Sequence, residues 1–281
     1  MTRSARRTRR TLHVTGVAAA ALLALSGCSS DDSGDSGDSG DSDAAAASGS
    51  ATASADVSGD VTVFAAASLK ESFTQLGKDF EKAHPGTKVT FSFGGSDALA
   101  ASITGGAPAD VFASASPKTM KIVTDAGDAE GTPATFVRNQ LEIATLPGNP
   151  DRIASLKDLT KSGLKVVLCD KTVPCGAAAQ TALEASKLSL TPVSYEEDVK
   201  SALNKVVLKE ADAAVVYKTD VQAAGDKVEG VDFPESAEAV NDYPITLLKD
   251  APNADAAKAF IELVQSAEGQ KVLTGAGFLQ P

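Results

Sequence analysis

The chain has 281 residues, of which 43% are hydrophobic and 22% are charged, and its net charge is −11 at pH 7. Binding to nucleic acid requires a basic surface, so this acidic composition argues against a nucleic-acid partner. The chain has only two histidines and three cysteines, which argues against a metal site built from these residue types.

The first 28 residues have the pattern of an export signal. Five arginines up to Arg10 precede an apolar run over Val14–Leu25, which is short for a membrane span and ends in small residues. Leu25-Ser26-Gly27-Cys28 resembles the bacterial lipobox, in which the cysteine is lipidated and becomes the mature N-terminus. We therefore expect a signal peptide over 1–28 and a lipid anchor on Cys28 at the outer face of the cell membrane. The general and twin-arginine export routes both stay open.

Residues 29–60 are almost entirely Asp, Ser, Gly and Ala, with an Asp-Ser-Gly repeat and no aromatic or basic side chain. Such a segment cannot pack a core, so it is predicted to be a disordered acidic tether. The remaining part of the chain, about 220 residues, is long enough for two lobes with one core each.

The stretch Val61–Phe73 joins a predicted strand to a predicted helix through Ser68. Val61–Ala67 is a nearly continuous apolar run, typical of a strand buried on both faces of a parallel sheet, and apolar residues then recur at helical spacing. Ser68 and Glu71 match a capping box at the helix start. Backbone N–H groups at such a turn also attract anions, so Ser68 is either a helix cap or a ligand-binding residue.

A second unit repeats this arrangement: the predicted strand Lys88–Phe93 ends in Gly94 and Gly95, and Ser96 stands where a helix begins. Strands and helices alternate along the rest of the chain, which predicts right-handed parallel units and an α/β architecture. The remaining predicted segments are, in chain order, a strand over Ala107–Phe112, a helix capped by Ser116 with Pro117 at its first position, an extended segment over Asn139–Leu146, a short helix over Ser155–Thr160, a strand over Leu164–Cys169, a helix over Ala177–Lys187, a helix opened by a capping box over Ser194–Glu197, a strand over Ala213–Tyr217, a strand over Tyr243–Leu248, and terminal helices from Asn253 to Gly275.

Two cysteines and a tyrosine stand at or near the ends of predicted strands. Five residues separate Cys169 from Cys175, whereas most redox pairs have two, and the secreted context favours a structural disulfide, with free thiols as the alternative. Closing so small a loop stabilises the fold by about 2 kcal/mol on the chain-entropy model. Tyr217 ends an apolar strand, where its hydroxyl faces either a ligand or a hydrogen-bond partner in the core.

Six short motifs resemble, in order and spacing, the molybdate-binding proteins of bacterial ABC importers. They are Phe64-Ala-Ala-Ala-Ser68-Leu, Gly94-Gly-Ser96-Asp, Ala107-Pro-Ala-Asp110-Val-Phe, Val173-Pro-Cys175-Gly176, Glu197-Asp-Val199 and Val215-Val-Tyr217. The resemblance implies the class II periplasmic-binding-protein fold, in which a two-strand hinge joins two α/β lobes around a ligand cleft. For this chain we expect lobe I over 61–138 and 235–281, and lobe II over 139–234.

The same resemblance implies which residues hold the ligand. They are Ser68 and Ser96 from lobe I, through hydroxyl and backbone N–H groups, and Cys175 and Val199, through backbone N–H groups, with the hydroxyl of Tyr217, from lobe II. The family usually has alanine at position 175, but only the amide is needed there, and a bond to Cys169 would hold it in place. A tetrahedral dianion offers only acceptors at neutral pH, so a site made of donors suits it without lysine or arginine.

The resemblance thus implies a monomeric, extracytoplasmic solute-binding lipoprotein without a cofactor, which closes around molybdate or tungstate and delivers it to an ABC permease. One alternative keeps the fold and binds another oxyanion, such as sulfate or phosphate. An enzyme is disfavoured because Lys70 follows Ser68 by two residues rather than three, so the Ser-x-x-Lys pattern is absent, and because His84 is the sole candidate imidazole. A redox protein using Cys169 and Cys175 is a third class.

Overall fold

The computed structural model describes residues 57–281. The predicted signal peptide over 1–28, the predicted lipid anchor on Cys28 and all but the end of the predicted tether over 29–60 lie outside the described residues. Within 57–281, none of the helices combines the length and the apolar character needed to cross a membrane.

Strands and helices alternate through most of the described part of the chain, as predicted. In chain order they are β1 (Gly59–Ala66), α1 (Lys70–Ala83), β2 (Thr87–Gly94), α2 (Ser96–Thr104), β3 (Val111–Ala113), α3 (Pro117–Ala126), β4 (Ala129–Asn139), β5 (Leu141–Thr145), β6 (Val166–Cys169), α4 (Pro174–Ala185), β7 (Ser194–Glu196), α5 (Val199–Val207), β8 (Ala213–Tyr217), α6 (Lys218–Ala224), β9 (Glu229–Val231), β10 (Asn241–Leu248), α7 (Ala254–Gln265) and α8 (Ala267–Gly275). Short 3₁₀ helices occupy Ala67–Leu69, Leu156–Thr160, Gly225–Lys227 and Pro234–Ala239.

The strands form two five-stranded sheets, one in each lobe. The sheet of lobe I has the order β2-β1-β3-β10-β4, and the sheet of lobe II has the order β7-β6-β8-β5-β9. In each sheet three parallel strands are followed by one strand that runs antiparallel to both of its neighbours, β10 in lobe I and β5 in lobe II. This is the predicted two-lobe α/β fold.

The chain crosses between the sheets twice. It first passes from β4 to β5 through Gln140, and it returns from β9 to β10 through a segment that contains the 3₁₀ helix Pro234–Ala239. The lobe boundaries expected at residues 139 and 235 stay predictions, although both lie within or next to these crossings.

Each lobe buries a core of its own. In lobe I, Phe260 packs edge to face against Phe73 and Phe80, with ring centroids 5.9 and 5.6 Å apart. The core of lobe II is largely aliphatic, with fully buried side chains such as Leu168 and Val216 from adjacent strands. The apolar runs that predicted buried strands therefore lie inside these two cores, β1 in lobe I and β8 in lobe II.

The capping box predicted at Ser68 is wrong. Ser68 lies inside the 3₁₀ helix Ala67–Leu69, and the N-cap residue of α1 makes no side-chain capping hydrogen bond. Glu71 instead pairs with Lys200 of the other lobe. The capping-box motif considers only neighbouring residues. In the folded protein Glu71 binds Lys200, which is distant in sequence, and does not cap the helix.

The capping box predicted over Ser194–Glu197 is also wrong. Ser194 begins β7, which pairs with β6, and α5 starts later, at Val199. Its cap is Asp198, whose carboxylate accepts a hydrogen bond from the backbone N–H of Ser201 at 2.9 Å. Sheet pairing has thus extended the segment that the motif assigned to a helix.

Strands β4 and β9 are missing from the sequence prediction. Both are edge strands, and most of β4 outside its last residues is exposed or half-buried. An edge strand is covered on fewer sides than a central one, so it lacks the apolar run that marks β1 or β8.

Candidate functional site

A small cavity between the lobes brings the predicted ligand-binding residues together. It is lined from lobe I by Ala66, Ala67, Ser68, Gly94, Gly95, Ser96 and Ala115, and from lobe II by Val173, Pro174, Cys175, Asp198, Val199 and Tyr217. All five residues named by the sequence analysis are on this wall. The volume open to the centre of a water molecule is about 20 Å³, little more than the roughly 10–15 Å³ that one bound water needs. The cavity therefore suits a compact ligand rather than an extended organic molecule.

The lobe I wall is built where three parallel strands end. Strands β1, β2 and β3 run in the same direction, so the residues that follow them meet at one edge of the sheet. Ser68, Ser96 and Ala115 are such residues. Ser96 is the first residue of α2, and its Oγ accepts a hydrogen bond from the backbone N–H of Ala115 at 3.0 Å. This bond holds the loop after β3 against the start of α2.

Ser68 is held by Tyr243, a residue that sequence reasoning missed. The Oγ of Ser68 lies 2.8 Å from the hydroxyl of Tyr243 on β10, and the Nδ2 of Asn139 lies 3.3 Å from the same hydroxyl. Burial raises the pKa of Tyr243, so it stays a neutral phenol at physiological pH. In the sequence, Tyr243 belongs to an apolar strand and is indistinguishable from a core residue.

The lobe II wall combines two helix starts with one strand end. Cys175 is the second residue of α4 and Val199 is the first residue of α5. First-turn N–H groups have no partner within an α-helix and carry the positive end of its dipole. Tyr217 ends β8, and its hydroxyl accepts a hydrogen bond from Nδ2 of Asn241 at 2.7 Å. Burial raises the pKa of Tyr217 well above its usual value, so this phenol also stays protonated.

A disulfide between Cys169 and Cys175 supports this wall. Their Cα atoms are 5.8 Å apart, and the bridge ties the end of β6 to the first turn of α4. Gly176 follows immediately, where a Cβ would overlap the backbone carbonyl oxygen of Asp170. The loop after β6 and the start of α4 therefore approach each other as closely as the backbone allows.

Among the described residues that line the cavity there is no lysine or arginine, and the only carboxylate belongs to Asp198. That carboxylate caps α5: it accepts from the N–H of Ser201 at 2.9 Å and from the hydroxyl of Ser201 at 3.2 Å. No group of three potential metal ligands occurs in residues 57–281. The attraction for an anion thus comes from amides, hydroxyls and helix dipoles rather than from a formal positive charge.

Lys200, one residue beyond Val199, links the two lobes. Its Nζ is 2.7 Å from Oε2 of Glu71 on α1 and 3.0 Å from Oδ1 of Asp220 on α6. Burial raises the pKa of Asp220 to about 6, and Lys200 offsets this only in part. Burial alone would lower the pKa of Lys200, but the two carboxylates outweigh it and the pKa is raised. Glu71, Lys200 and Asp220 lie within three residues after Ser68, Val199 and Tyr217, respectively. The ion network therefore connects the three segments that carry these site residues.

The comparison with known proteins agrees with this geometry. Residues 61–279 match the family model described as bacterial extracellular solute-binding protein. The chain is 44% identical over 221 residues to the molybdate-binding protein ModA of Mycobacterium tuberculosis H37Rv, which covers 79% of this chain and 85% of that protein. It is 32% identical over 225 residues to the putative ABC transporter substrate-binding lipoprotein YvgL of Bacillus subtilis, covering 78% of this chain and 85% of that protein.

Solved structures share the fold. The periplasmic molybdate-binding protein of Azotobacter vinelandii matches with a TM-score of 0.70 and 22% identity, over 79% of this chain and 99% of that chain. The sulfate-binding protein SubI of Mycobacterium tuberculosis matches with a TM-score of 0.68 and 18% identity, over 78% and 86%. The fold by itself therefore does not select one oxyanion, whereas the relative that is 44% identical is named a molybdate-binding protein. The chain belongs to the bacterial extracellular solute-binding proteins, a transport component rather than an enzyme family, and within them to the family of the molybdate-binding protein ModA.

Proposed function

We propose that this protein captures molybdate, and also tungstate, outside the cytoplasm and delivers the ion to an ABC permease. The observation that carries the proposal is the convergence of hydrogen-bond donors from both lobes on one small cavity. Ser68 and Ser96 line it from lobe I, and Tyr217 and the first turns of α4 and α5 line it from lobe II. A tetrahedral dianion matches such a wall because all of its oxygens accept hydrogen bonds.

The ligand also explains why the site is divided between two lobes. An ion that contacts both walls is bound better by the closed form than by an open one, so binding shifts the population towards closure. We therefore infer that the permease distinguishes loaded from unloaded protein by the relative position of the lobes.

Calorimetric titration of the purified protein with molybdate, tungstate, sulfate and phosphate tests the ligand. We expect one equivalent of molybdate or tungstate to bind, and either ion at a hundredfold excess over its Kd to stabilise the fold by about 2.7 kcal/mol. The absence of heat with these two ions, together with clear binding of sulfate or phosphate, would instead establish the alternative ligand within the same fold.

Two further observations support a binding role over the other classes. The hydrogen-bond partner of Ser68 is the neutral phenol of Tyr243, which is no general base. Both Cys169 and Cys175 are buried in a disulfide, which supports a structural role over surface redox chemistry.

We further propose that the protein is a monomer anchored to the membrane by lipid on Cys28. One chain supplies both walls of the cavity, and the Bacillus subtilis relative is named a lipoprotein. A Cys28→Ser variant should leave the membrane fraction in cells and should bind molybdate as the wild type does. Retention of that variant in the membrane fraction would argue for a different anchor.

A further inference from the structure

Gly95 of lobe I lies against the backbone of lobe II at the edge of the cavity. A Cβ on Gly95 would be 2.6 Å from the backbone carbonyl oxygen of Glu197, the residue that follows β7. It would also be 3.7 Å from Cγ1 of Val173, the residue that precedes α4. A Cβ is essentially never found within 3.0 Å of a backbone oxygen. The two lobes therefore approach each other this closely because position 95 has no side chain.

The local backbone does not require glycine at position 95. Its φ of −61° and ψ of 131° belong to the extended region that other residue types also adopt. Gly95 is the N-cap of α2, a position where serine, asparagine and aspartate are preferred because their side chains accept a hydrogen bond from the helix. No such bond caps α2. Local structure therefore favours a serine at position 95, and the contact with lobe II excludes it.

The other atoms around this position leave more room. A Cβ on the neighbouring Gly94 would meet only Leu99 of the same lobe, at 3.9 Å, which is an ordinary contact distance. Oδ1 of Asp97 lies 2.8 Å from the place of a Cβ on Gly95, but it belongs to a side chain and can rotate aside. The carbonyl of Glu197 is thus the obstacle that decides, and it belongs to the other lobe.

Hydrogen bonds hold both of these backbone segments in place. In lobe II, the carbonyl of Glu196 accepts from the N–H of Asp170 at 2.8 Å, and Asp198 caps α5. In lobe I, the carbonyl of Gly95 accepts from the N–H of Leu99 at 3.0 Å. Neither segment can yield without losing such bonds. A side chain at position 95 would therefore move one lobe away from the other.

A separation of the lobes at this point would act on the lobe II wall of the cavity. Glu197 is two residues before Val199, and Val173 is two residues before Cys175. The volume open to the centre of a water molecule is only about 20 Å³, so a compact ligand would lose contact with one wall after a small movement. The first turns of α4 and α5 would then no longer reach the ion that Ser96 contacts.

We propose that Gly95 is a positioning residue that sets how far the two lobes close, and that the absence of a side chain there allows both walls to contact one ion. The inference rests on the proposed function and adds the residue that limits closure. In the open form position 95 has no neighbour in lobe II, so a side chain there opposes only the closed form. We therefore expect it to raise the dissociation rate constant, koff, and to leave the association rate constant, kon, unchanged.

Two substitutions at position 95 separate lobe closure from helix capping. Gly95→Ser and Gly95→Ala both add the Cβ, but only serine supplies a cap for α2. We expect both variants to bind molybdate about fivefold more weakly or worse, the lower end of the usual cost of overpacking. The Tm without ligand should instead follow the cap, so that Gly95→Ser is at least as stable as the wild type and Gly95→Ala is the least stable of the three.

Calorimetric titration gives the Kd for molybdate, and stopped-flow fluorescence gives kon and koff, with Tyr217 on the cavity wall as the probe. Gly275→Ser is the matched control, because Gly275 is also helical and its Cβ would meet no atom within 4 Å. We expect this control to bind molybdate as the wild type does.

A Gly95→Ser variant that binds molybdate as tightly as the wild type would overturn the proposal, because the closed form would then have room for the side chain. A loss that lies in kon alone would also overturn it, because the substitution would then act on lobe I in the open form. Failure of the wild-type protein to bind molybdate would instead refute the proposed function.

Discussion

Gly176 shows how tightly one residue is constrained at the start of α4. A Cβ at this position would overlap the carbonyl oxygen of Asp170 and lie 2.6 Å from that of Cys169. Both obstacles are backbone atoms, which cannot rotate away as a side chain can. The space reserved for glycine is therefore part of what brings the amide of Cys175 to the cavity.

We expect Gly176→Ala to lower the free energy of unfolding by about 1–3 kcal/mol, the usual cost of overpacking, and to weaken molybdate binding. Gly275→Ala is the matched control, because Gly275 is also helical and its Cβ would meet no atom within 4 Å. Thermal unfolding measures the stability of both variants, and calorimetric titration measures their affinity for molybdate. Equal stability of the two variants would show that the loop after β6 can move aside.

Asp220 makes stability depend on pH because burial raises its pKa to about 6 in the folded protein. The folded state therefore binds a proton more readily than the unfolded state, whose aspartate pKa is near 3.9. The contribution of Asp220 to the free energy of unfolding is then greatest below about pH 4 and is lost as the pH rises through 6. Lys200 and Glu71 are the charged groups that face this carboxylate.

Asp220→Asn removes this titration. We expect the Tm of the wild type minus the Tm of the variant to increase as the pH is lowered from about 7.5 to about 5, while other groups cancel in the difference. Differential scanning calorimetry across this range measures it. A difference that does not change with pH would mean that the carboxylate titrates at its ordinary value.

At the scale of elements, the cavity is made from the places where strands end and helices begin. Parallel strands bring their carboxyl ends to one edge, and the helices that follow point their N-termini the same way. Strands β1, β2 and β3 do this in lobe I, and α4, α5 and β8 do it in lobe II. The sequence motifs that predicted the ligand site therefore lie where strands end and helices begin.

The disulfide belongs to this scale because it joins β6 to α4. We expect the Cys169→Ala/Cys175→Ala variant to lose about 2 kcal/mol of stability on the chain-entropy model and to bind molybdate more weakly, since the first turn of α4 is no longer tied to the sheet. A reductant should reproduce both effects in the wild type and have none in the variant. If the double variant binds molybdate as tightly as the wild type, the disulfide stabilises the fold but does not position the site.

At the scale of the whole molecule, the two lobes have the same strand arrangement and are held together by contacts beside the cavity. The ion pair between Glu71 and Lys200 is one of them, and it exists only while the lobes are close. Asp220, which like Lys200 belongs to lobe II, pairs with the same lysine at 3.0 Å. The pair between Glu71 and Lys200 therefore favours the closed form.

We expect Glu71→Gln to weaken molybdate binding by about two- to fivefold, the range for a partly exposed ion pair, and to do so less at high salt. Glu210→Gln is the control, because it breaks a similar pair with Lys205 that stays within lobe II. Calorimetric Kd values at low and high salt decide the matter. If the wild type and Glu71→Gln bind molybdate equally well at low salt, the ion pair between Glu71 and Lys200 does not contribute to closure.

The sequence by itself determined the α/β class, the central strands and the segments that carry the site. Val61–Ala67 and Ala213–Tyr217 are apolar runs typical of buried strands, and they correspond to β1 and β8 except for Ala67. Ser116 before Pro117 caps α3 as predicted. These features are local, because periodicity and capping depend on residues a few positions apart. The family motifs then identified five residues, and the fold brings all five to one cavity.

Only the tertiary structure decided which partners these residues have. Ser68 and Tyr243 are 175 positions apart, and Glu71 and Lys200 are 129 apart, so no window of sequence contains either pair. The edge strands β4 and β9 were missed for a related reason, because an edge is defined by its neighbours in the sheet and not by its own residues. The partner that each hydroxyl meets depends on which faces come together when the lobes fold, and sequence periodicity does not record that.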